Sequence, residues 1–210
     1  MSPLNPLALA TLGLLVERPM HPYEMFQLLI DRSEDRLVKV RRGTLYHAVA
    51  RLTETGLTEV VGTDRGGNRP ERTTYAITAA GRTALDDTVR DQLAEPEPDY
   101  PMFPLALAQA HNLPRHEVVA ALGRRIDGLT AELAAYDSGI ADAAARDVPR
   151  RFLVDTDYQR TLRSTELDWL RRFVTDLTDG TIPWHPPGPE HPHPDATSSH
   201  PHLENAGSPA

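Results

Sequence analysis

The chain has 210 residues, no cysteine and a formal net charge of −8; this length suits one or two domains, and the missing thiols exclude a disulfide framework and a thiolate metal site. The acidic total is unevenly distributed. Residues 1–90 hold 12 Lys and Arg against 11 Asp and Glu, whereas residues 91–210 hold 10 against 19. Because salt screens charges over roughly 10 Å, local charge matters most at a contact. The overall charge therefore does not exclude nucleic acid as a partner of the amino-terminal half.

Two helices are predicted at the start of the chain. Residues 4–16 are apolar, but no basic residue precedes them and no small-residue cleavage site follows. We therefore expect a buried helix over residues 4–17 rather than a signal peptide. A second helix begins at Pro22, and its inner stripe consists of Met25, Phe26, Leu29 and Ile30. No segment approaches the roughly 20 apolar residues of a membrane span, so we expect a soluble cytoplasmic protein.

A short extended run over residues 37–40 precedes an amphipathic, cationic helix that starts beside Arg41. On a helical wheel of about 100° per residue, Leu45, Val49 and Leu52 fall on one side. The opposite side carries Thr44, His47 and Arg51, which can reach the hydrogen-bond acceptors of base edges in a DNA major groove. Taken alone, this segment is explained equally well by DNA contact and by an ordinary solvated surface.

A β-hairpin with a long polar tip is predicted next. Residues 57–61 and 73–77 are rich in β-branched and aromatic side chains, as strands are. The loop between them, residues 62–72, has three arginines against two carboxylates, so it can reach a phosphate backbone or remain a solvated loop. A further helix follows over residues 79–93, with Thr78 as its N-cap. The order helix, helix, short strand, helix, strand, wing, strand is that of a winged helix-turn-helix domain.

Four motifs in this region resemble the PadR family of bacterial transcriptional regulators. They are the run from Leu7 to Leu15, His21-Pro-Tyr-Glu, Gly43-Thr-Leu-Tyr-His-Ala-Val-Ala-Arg-Leu and Tyr75-Ala-Ile-Thr-Ala-Ala-Gly81. The resemblance covers residues 4–93. It implies a dimeric winged-helix repressor that binds a pseudo-palindromic operator in double-stranded DNA and is released by a small ligand.

The resemblance also implies which residues meet DNA. It assigns that role to Tyr46 and the basic residues around it, and a backbone contact to Tyr23. With the residues singled out by the helix and wing patterns, the predicted DNA-binding set is Tyr23, Lys39, Arg41, Arg42, Thr44, Tyr46, His47, Arg51, Arg65, Asn68, Arg69 and Arg72. Both tyrosines are open to another interpretation, because a half-buried tyrosine with a satisfied hydroxyl is common in domain cores.

The carboxy-terminal half is predicted to be helical, after a hinge at residues 94–102. A short helix over residues 103–111 precedes a long one whose apolar side chains alternate at intervals of three and four, as in a coiled coil. The partner of this seam is either a last helix at residues 152–177 of the same chain or another subunit, and we predict a joint bundle of both. The predicted dimerisation residues are Val119, Leu122, Ile126, Leu129, Leu133, Tyr136 and Ile140. This helical domain, residues 103–179, resembles that of the larger PadR-like proteins and their virulence-activator relatives.

Two further predictions concern ligands. We expect a pocket for a small aromatic effector between the two domains or at the dimer axis, lined by Phe26, Met102, Phe103, Trp169 and Phe173, although core packing explains these residues equally well. We expect the Pro- and His-rich residues 180–210 to be a disordered tail. Proline interrupts every pair of its histidines, so we predict no defined metal site and no cofactor.

The sequence carries none of the common catalytic motifs, and we predict that the protein is not an enzyme. Asp155 and Asp157, or Glu166 and Asp168, are carboxylate pairs two residues apart, which do not face one another on a helix. The fold class that we predict is mainly α with a small β-hairpin. The alternative function is a winged-helix module that docks proteins instead of DNA.

Overall fold

The computed structural model of the protein describes residues 4–64, 72–95 and 100–184. The chain divides into two compact units, Met1–Asp99 and Tyr100–Ala210. Three of the predicted wing contacts, Arg65, Asn68 and Arg69, lie outside the described residues. So do the hinge residues 96–99 and the His-rich residues from His185 onward.

The amino-terminal unit contains four helices and one hairpin. In chain order they are α1 (Pro6–Glu17), α2 (Pro22–Asp31), α3 (Arg42–Glu54), β1 (Thr58–Asp64), β2 (Arg72–Ile77) and α4 (Ala79–Ala94). The side chain of Asn5 accepts the Ala8 N–H at 2.9 Å and so caps α1. The Thr78 hydroxyl accepts the Gly81 N–H at 3.0 Å, which confirms the predicted N-cap of α4.

The sheet of this unit is a two-stranded antiparallel hairpin in which Thr58 lies opposite Ile77. A register irregularity lies between Val60 and Gly62. The backbones of Met20 and Tyr75 exchange two hydrogen bonds of 3.0 Å, which attach the segment before α2 to the hairpin.

The short strand predicted at residues 37–40 is wrong. The N–H groups of Leu37 and Val38 instead donate to the carbonyl of Glu34, at 2.9 and 3.1 Å. They belong to the end of a tight turn that begins at Glu34. The segment is apolar in sequence, yet the Leu37 side chain is exposed and Val40 is only partly buried against the core.

The core of the amino-terminal unit lies between the four helices α1 to α4 and the hairpin. Leu45, Val49 and Leu52 are buried in it, so the amphipathic pattern of α3 is confirmed. On α2, Met25 and Leu29 are fully buried, as the predicted inner stripe requires. Ile30 is the exception, because it lies at the edge of that stripe and is exposed.

The carboxy-terminal unit is helical and contains α5 (Met102–Ala108), α6 (Arg115–Ala145) and α7 (Val154–Asp179). The short helix predicted over residues 103–111 ends at Ala108, and a separate 3-10 turn covers Ala110–Asn112. Ion pairs join Arg125 to Glu166, Glu132 to Arg163 and Asp137 to Arg160. Residues further along α6 pair with residues closer to the start of α7, so the two long helices are antiparallel.

The predicted seam of α6 separates into two rows of different burial. Leu122 and Leu129 form a common core with residues of α7 that include Leu170 and Leu177, and Tyr136 continues this row as a buried residue. The second row, at seven-residue spacing, is only partly buried and consists of Val119, Ile126, Leu133 and Ile140. One of the two predicted partners of the seam, the last helix of the same chain, is thus observed.

The segment after α7 differs from the prediction of a tail that begins at Gly180. Gly180 has the positive φ of 84° that suits a residue ending a helix. Beyond it, Ile182 and Trp184 pack against the core of the carboxy-terminal unit, and the Trp184 ring N–H donates to the Leu113 carbonyl at 2.9 Å. The apolar character of these two residues explains why they join the core.

In the part of the chain that the structure describes, no helix is long and apolar enough to cross a bilayer. Within the same residues, no cluster of three or more His, Asp and Glu side chains is suited to hold a metal ion.

Candidate nucleic-acid interface

The polar face of α3 is open to solvent. Thr44, Tyr46, His47 and Arg51 are exposed, as are the three basic residues at and before the start of the helix, Lys39, Arg41 and Arg42. Together these seven residues are named the α3 surface. The buried row of Leu45, Val49 and Leu52 fixes the opposite face of the helix in the core. The predicted α3 residues are therefore all accessible to a partner.

The start of α3 is strongly electropositive. Arg41 and Arg42 lie there, no acidic residue is in the first turn, and no side chain caps the first N–H groups. Thr44 uses its hydroxyl as a donor to the Arg41 carbonyl, at 2.8 Å. A helix start carries partial positive charge from its aligned peptide dipoles, so the two guanidinium groups and the helix add to one field that favours anions.

The side chain of Arg42 lies across two aromatic rings of α2. Its guanidinium carbon is 5.4 Å from the centre of the Tyr23 ring and 5.2 Å from that of the Phe26 ring. Tyr23 is 45% exposed, whereas Phe26 is half-buried and packs against the core. Tyr23 and Phe26 are three residues apart on α2, so they are neighbours on one side of that helix.

Next to the α3 surface is a cavity of about 330 Å³ between the start of α2, the helix α3 and the strand β2. Tyr23, Tyr46 and Arg72, all in the predicted set, line it together with His21, Pro22, Thr73 and Tyr75. The prediction missed His21, Thr73 and Tyr75. The position of His21 just before the helix-starting Pro22 was a signal for an N-terminal cap, but a one-dimensional pattern gives no sign that β2 lies beside it.

Among the described residues that line this cavity, Arg72 carries the positive charge. Burial lowers the pKa of the His21 imidazole below its usual value, and the Arg72 guanidinium lowers it further. The neutral ring accepts the Tyr23 N–H at its Nδ1 atom, 3.0 Å away. A hydrogen bond from Arg18 lowers the pKa of the nearby Glu24 carboxyl, and the pair is 2.5 Å apart. Among the described residues, the Glu24 carboxylate next to the cavity residue Tyr23 is therefore already paired with a cation.

The residues predicted for an effector pocket lie in different environments. Phe26 is in the amino-terminal unit, under Arg42, whereas the other four are in the carboxy-terminal unit. Met102 is 72% exposed, and Phe103 packs beneath the Arg125 guanidinium, which is 3.5 Å from its ring centre. Trp169 and Phe173 are stacked with ring centres 5.0 Å apart. The structure thus brings together only this last pair of the five.

Trp169 and Phe173 line an open cavity of about 590 Å³ on the outer side of α7. The ring of Trp184 meets Phe173 edge-on, with centres 6.3 Å apart, and Ile182 completes the apolar wall. Polar side chains at the same cavity are Arg171, Arg172, Thr175 and Asp176. Elsewhere on α7, Glu166 is bound to Arg125 and Asp168 is exposed.

Comparison with known families identifies the amino-terminal region. Residues 11–87 match the model of the transcriptional regulator PadR-like family. This segment runs from the middle of α1 through α2, α3 and the hairpin to the middle of α4. A search of curated proteins by sequence found no match.

Three solved structures illustrate the similarity of the fold. PadR of Bacillus subtilis in complex with operator DNA has a TM-score of 0.72 and 18% identity, over 84% of this chain and 99% of that one. The same protein in complex with p-coumaric acid has a TM-score of 0.68 and 18% identity, over 82% and 98%. The virulence activator AphA of Vibrio cholerae has a TM-score of 0.64 and 17% identity, over 83% and 99%. At these identities the likeness shows a shared fold, and it confirms the predicted winged helix followed by a helical domain.

Proposed function

We propose that the chain is a dimeric repressor of the PadR-like family of transcriptional regulators, whose model its residues 11–87 match, and that it binds operator DNA with the α3 surface and Arg72. The observation that carries this proposal is the exposed, uncapped and doubly cationic start of α3. A regulator is no catalyst, in agreement with the prediction that the protein is not an enzyme. Its operator would lie on the chromosome, so we assign the protein to the cytoplasm.

The division of labour on DNA follows from the side-chain chemistry. An α-helix fits the major groove, where Arg binds guanine through two acceptors and Thr or His can accept or donate single hydrogen bonds. Arg51 and His47 lie on the solvent face of α3 and are assigned to base edges. Arg41, Arg42 and Lys39 lie at its start and are assigned to phosphates. Arg72, Tyr23 and Tyr46 border the adjacent cavity, which suits one more phosphate.

Replacing the arginine on the exposed face of α3 tests the DNA assignment. We expect Arg51→Ala to weaken operator binding by about tenfold or more, because a lost base contact costs on the order of 1–3 kcal/mol. Arg41→Ala should instead weaken all duplexes alike and reduce the slope of log affinity against log salt by about one. Fluorescence anisotropy over a salt series, with a duplex that the wild-type protein selects from a random-sequence pool, measures both effects.

Arg90→Ala is the matched control, because it removes the same charge from the same unit. Arg90 lies on α4 in an ion pair with Asp87, 2.5 Å away, outside the α3 surface. We expect it to leave affinity and salt slope unchanged. Equal behaviour of all three variants would assign the α3 surface to another partner, such as a docking protein.

The dimer is proposed to form through the carboxy-terminal unit. The predicted row of Leu122, Leu129 and Tyr136 is already buried within one chain, so it is not free to meet a second copy. The half-open row Val119, Ile126, Leu133 and Ile140 remains available on α6. On α7 a stripe of large apolar side chains is exposed, formed by Val154, Tyr158 and Leu162. At about 100° per residue these three fall within roughly 80° of one another, about 130° from the face that packs on α6.

The exposed α7 stripe gives the dimer a physical basis. Each large apolar side chain that is removed from water contributes on the order of 1.5–3 kcal/mol. Burial of this stripe between two copies therefore favours their association. A two-fold dimer also presents two α3 surfaces, which suits a pseudo-palindromic operator with half-sites spaced by about 34 Å or a multiple of it.

An aromatic carboxylate is proposed as the effector that releases the repressor from DNA. The cavity of about 590 Å³ has the stacked Trp169 and Phe173 rings as a wall and Arg171 and Arg172 at its edge, a combination that fits a flat ring with an acidic group. The relative from Bacillus subtilis was solved with a ligand of this class, p-coumaric acid. We propose that Trp169 and Phe173, and not Phe26 or Met102, contact it.

Tryptophan fluorescence tests the effector proposal. We expect p-coumaric acid to quench the emission of the wild-type protein and to lower its affinity for the selected duplex. Phe173→Leu should abolish both responses while leaving DNA affinity without ligand unaltered. The control ligand is p-vinylphenol, which lacks the carboxylate and should bind far more weakly. Flat responses to a panel of aromatic acids would contradict the proposal.

A further inference from the structure

The contact of Arg42 with two rings of α2 separates it from the other cations of the α3 surface. Among the residues that the structure describes, no carboxylate is ion-paired with Arg42, and its recorded partners are the rings of Tyr23 and Phe26. A guanidinium within about 6 Å of a ring centre is attracted to the negative face of that ring. The charge of Arg42 is therefore held in place without being neutralised.

Among the described residues, no hydrogen bond engages the Arg42 guanidinium beside its contacts with the two rings. Its five N–H donors lie in the plane of the group and can bind a ligand. A long side chain that is already held loses less conformational freedom when its donors bind a ligand. Arg42 is also at the first position of α3, where the helix field adds to its own charge.

We infer that Tyr23 and Phe26 form an aromatic platform that preorganises Arg42 for a DNA phosphate, and that Phe26 is a positioning residue for this contact. The inference rests on the proposed function and deepens it. It moves Phe26 from the effector pocket of the sequence prediction to the DNA-binding machinery. The half-buried Phe26 forms the inner part of the platform and the exposed Tyr23 the outer part.

A double-mutant cycle tests whether Phe26 acts through Arg42. Phe26→Leu keeps an apolar side chain in the core and removes the ring. We expect it to weaken binding of the selected duplex by about three- to tenfold, in line with the strength of a cation–π contact, and to have no further effect when Arg42→Ala is already present. Phe26→Tyr, which retains a ring, should restore wild-type affinity.

Leu28→Val is the control for loss of packing. Leu28 is on the same helix and packs against the same core, but none of the arginine–ring contacts includes it. We expect this variant to lower the melting temperature about as much as Phe26→Leu does and to leave DNA affinity unchanged.

The outcomes separate this inference from the proposed function. If wild-type protein binds DNA and Phe26→Leu weakens binding equally with and without Arg42, the platform is wrong and the ring acts through the fold. Unaltered binding by Phe26→Leu overturns the inference as well. Absence of any DNA binding by wild-type protein overturns the proposed function itself.

Discussion

Gly81→Ala is expected to destabilise the amino-terminal unit by about 3 kcal/mol or more, at the upper end of overpacking effects. An added Cβ at this buried position would fall on the carbonyl oxygen of Leu57, with Ile77 Cγ1 only 2.8 Å away. The carbonyl cannot move aside freely, because it accepts the Thr78 N–H at 3.1 Å. The glycine therefore lets α4 start directly against the end of α3 and the beginning of the hairpin.

Scanning calorimetry of the full-length protein measures this effect. Each kcal/mol corresponds to about 4–8 °C of melting temperature in a domain of this size, so the transition of the amino-terminal unit should fall by more than 10 °C. Gly13→Ala is the matched control, because a Cβ there meets no atom within 4 Å inside α1. It should raise stability slightly, since alanine favours a helix over glycine by about 1 kcal/mol. Similar melting temperatures for the two variants would contradict the packing at Gly81.

Replacing Tyr158 and Leu162 together by aspartate is expected to convert the proposed dimer into a monomer that keeps its helices. Both side chains are exposed on α7 in the single chain, at 61% and 43%, so the charges cost little within one chain. Between two chains they would place four carboxylates in an apolar contact, which is strongly unfavourable without partners. Light scattering should therefore show a fall to the 23.2 kDa of one chain.

The loss of the dimer should reduce operator affinity by about a hundredfold or more, because the second half-site is no longer engaged at high effective concentration. Ala120→Asp with Ala131→Asp is the matched control, since both alanines are exposed and about 160–180° from Leu122 on α6. This control should stay dimeric. A stable dimer of the Tyr158→Asp, Leu162→Asp variant would remove the α7 stripe from the interface.

The periodic elements of this protein were predictable from the sequence. A helix with one side in the core needs apolar residues at a period of 3.6, and this period can be read directly from the sequence. It predicted the burial of Leu45, Val49 and Leu52. The same holds for Thr78 at the start of α4, because hydroxyl capping is a local interaction. Residues 37–40 misled the prediction, since an apolar run does not reveal whether tertiary structure offers it a partner strand.

Contacts between residues that are far apart in the chain could not be predicted from the sequence. Tyr75 and Met20 pair as a single bridge, which has no period to detect. The contact of Arg42 with the Phe26 ring joins α3 to α2. The sequence of an apolar stripe does not show whether an aromatic residue in it lines a core, lines a pocket or contacts a cation. The partly buried row and the buried row of α6 have the same heptad spacing in the sequence. Only the packing of α6 on α7 shows which of the two is buried.

DNase footprinting with purified full-length protein on genomic fragments, at low ionic strength, tests the central claim most directly. We predict a protected region with two symmetric half-sites about 34 Å, or a multiple of that distance, apart, and no such protection with the Arg42→Ala, Arg51→Ala variant. Absence of protection by wild-type protein on every fragment, with and without aromatic acids, would contradict the assignment of the α3 surface to DNA.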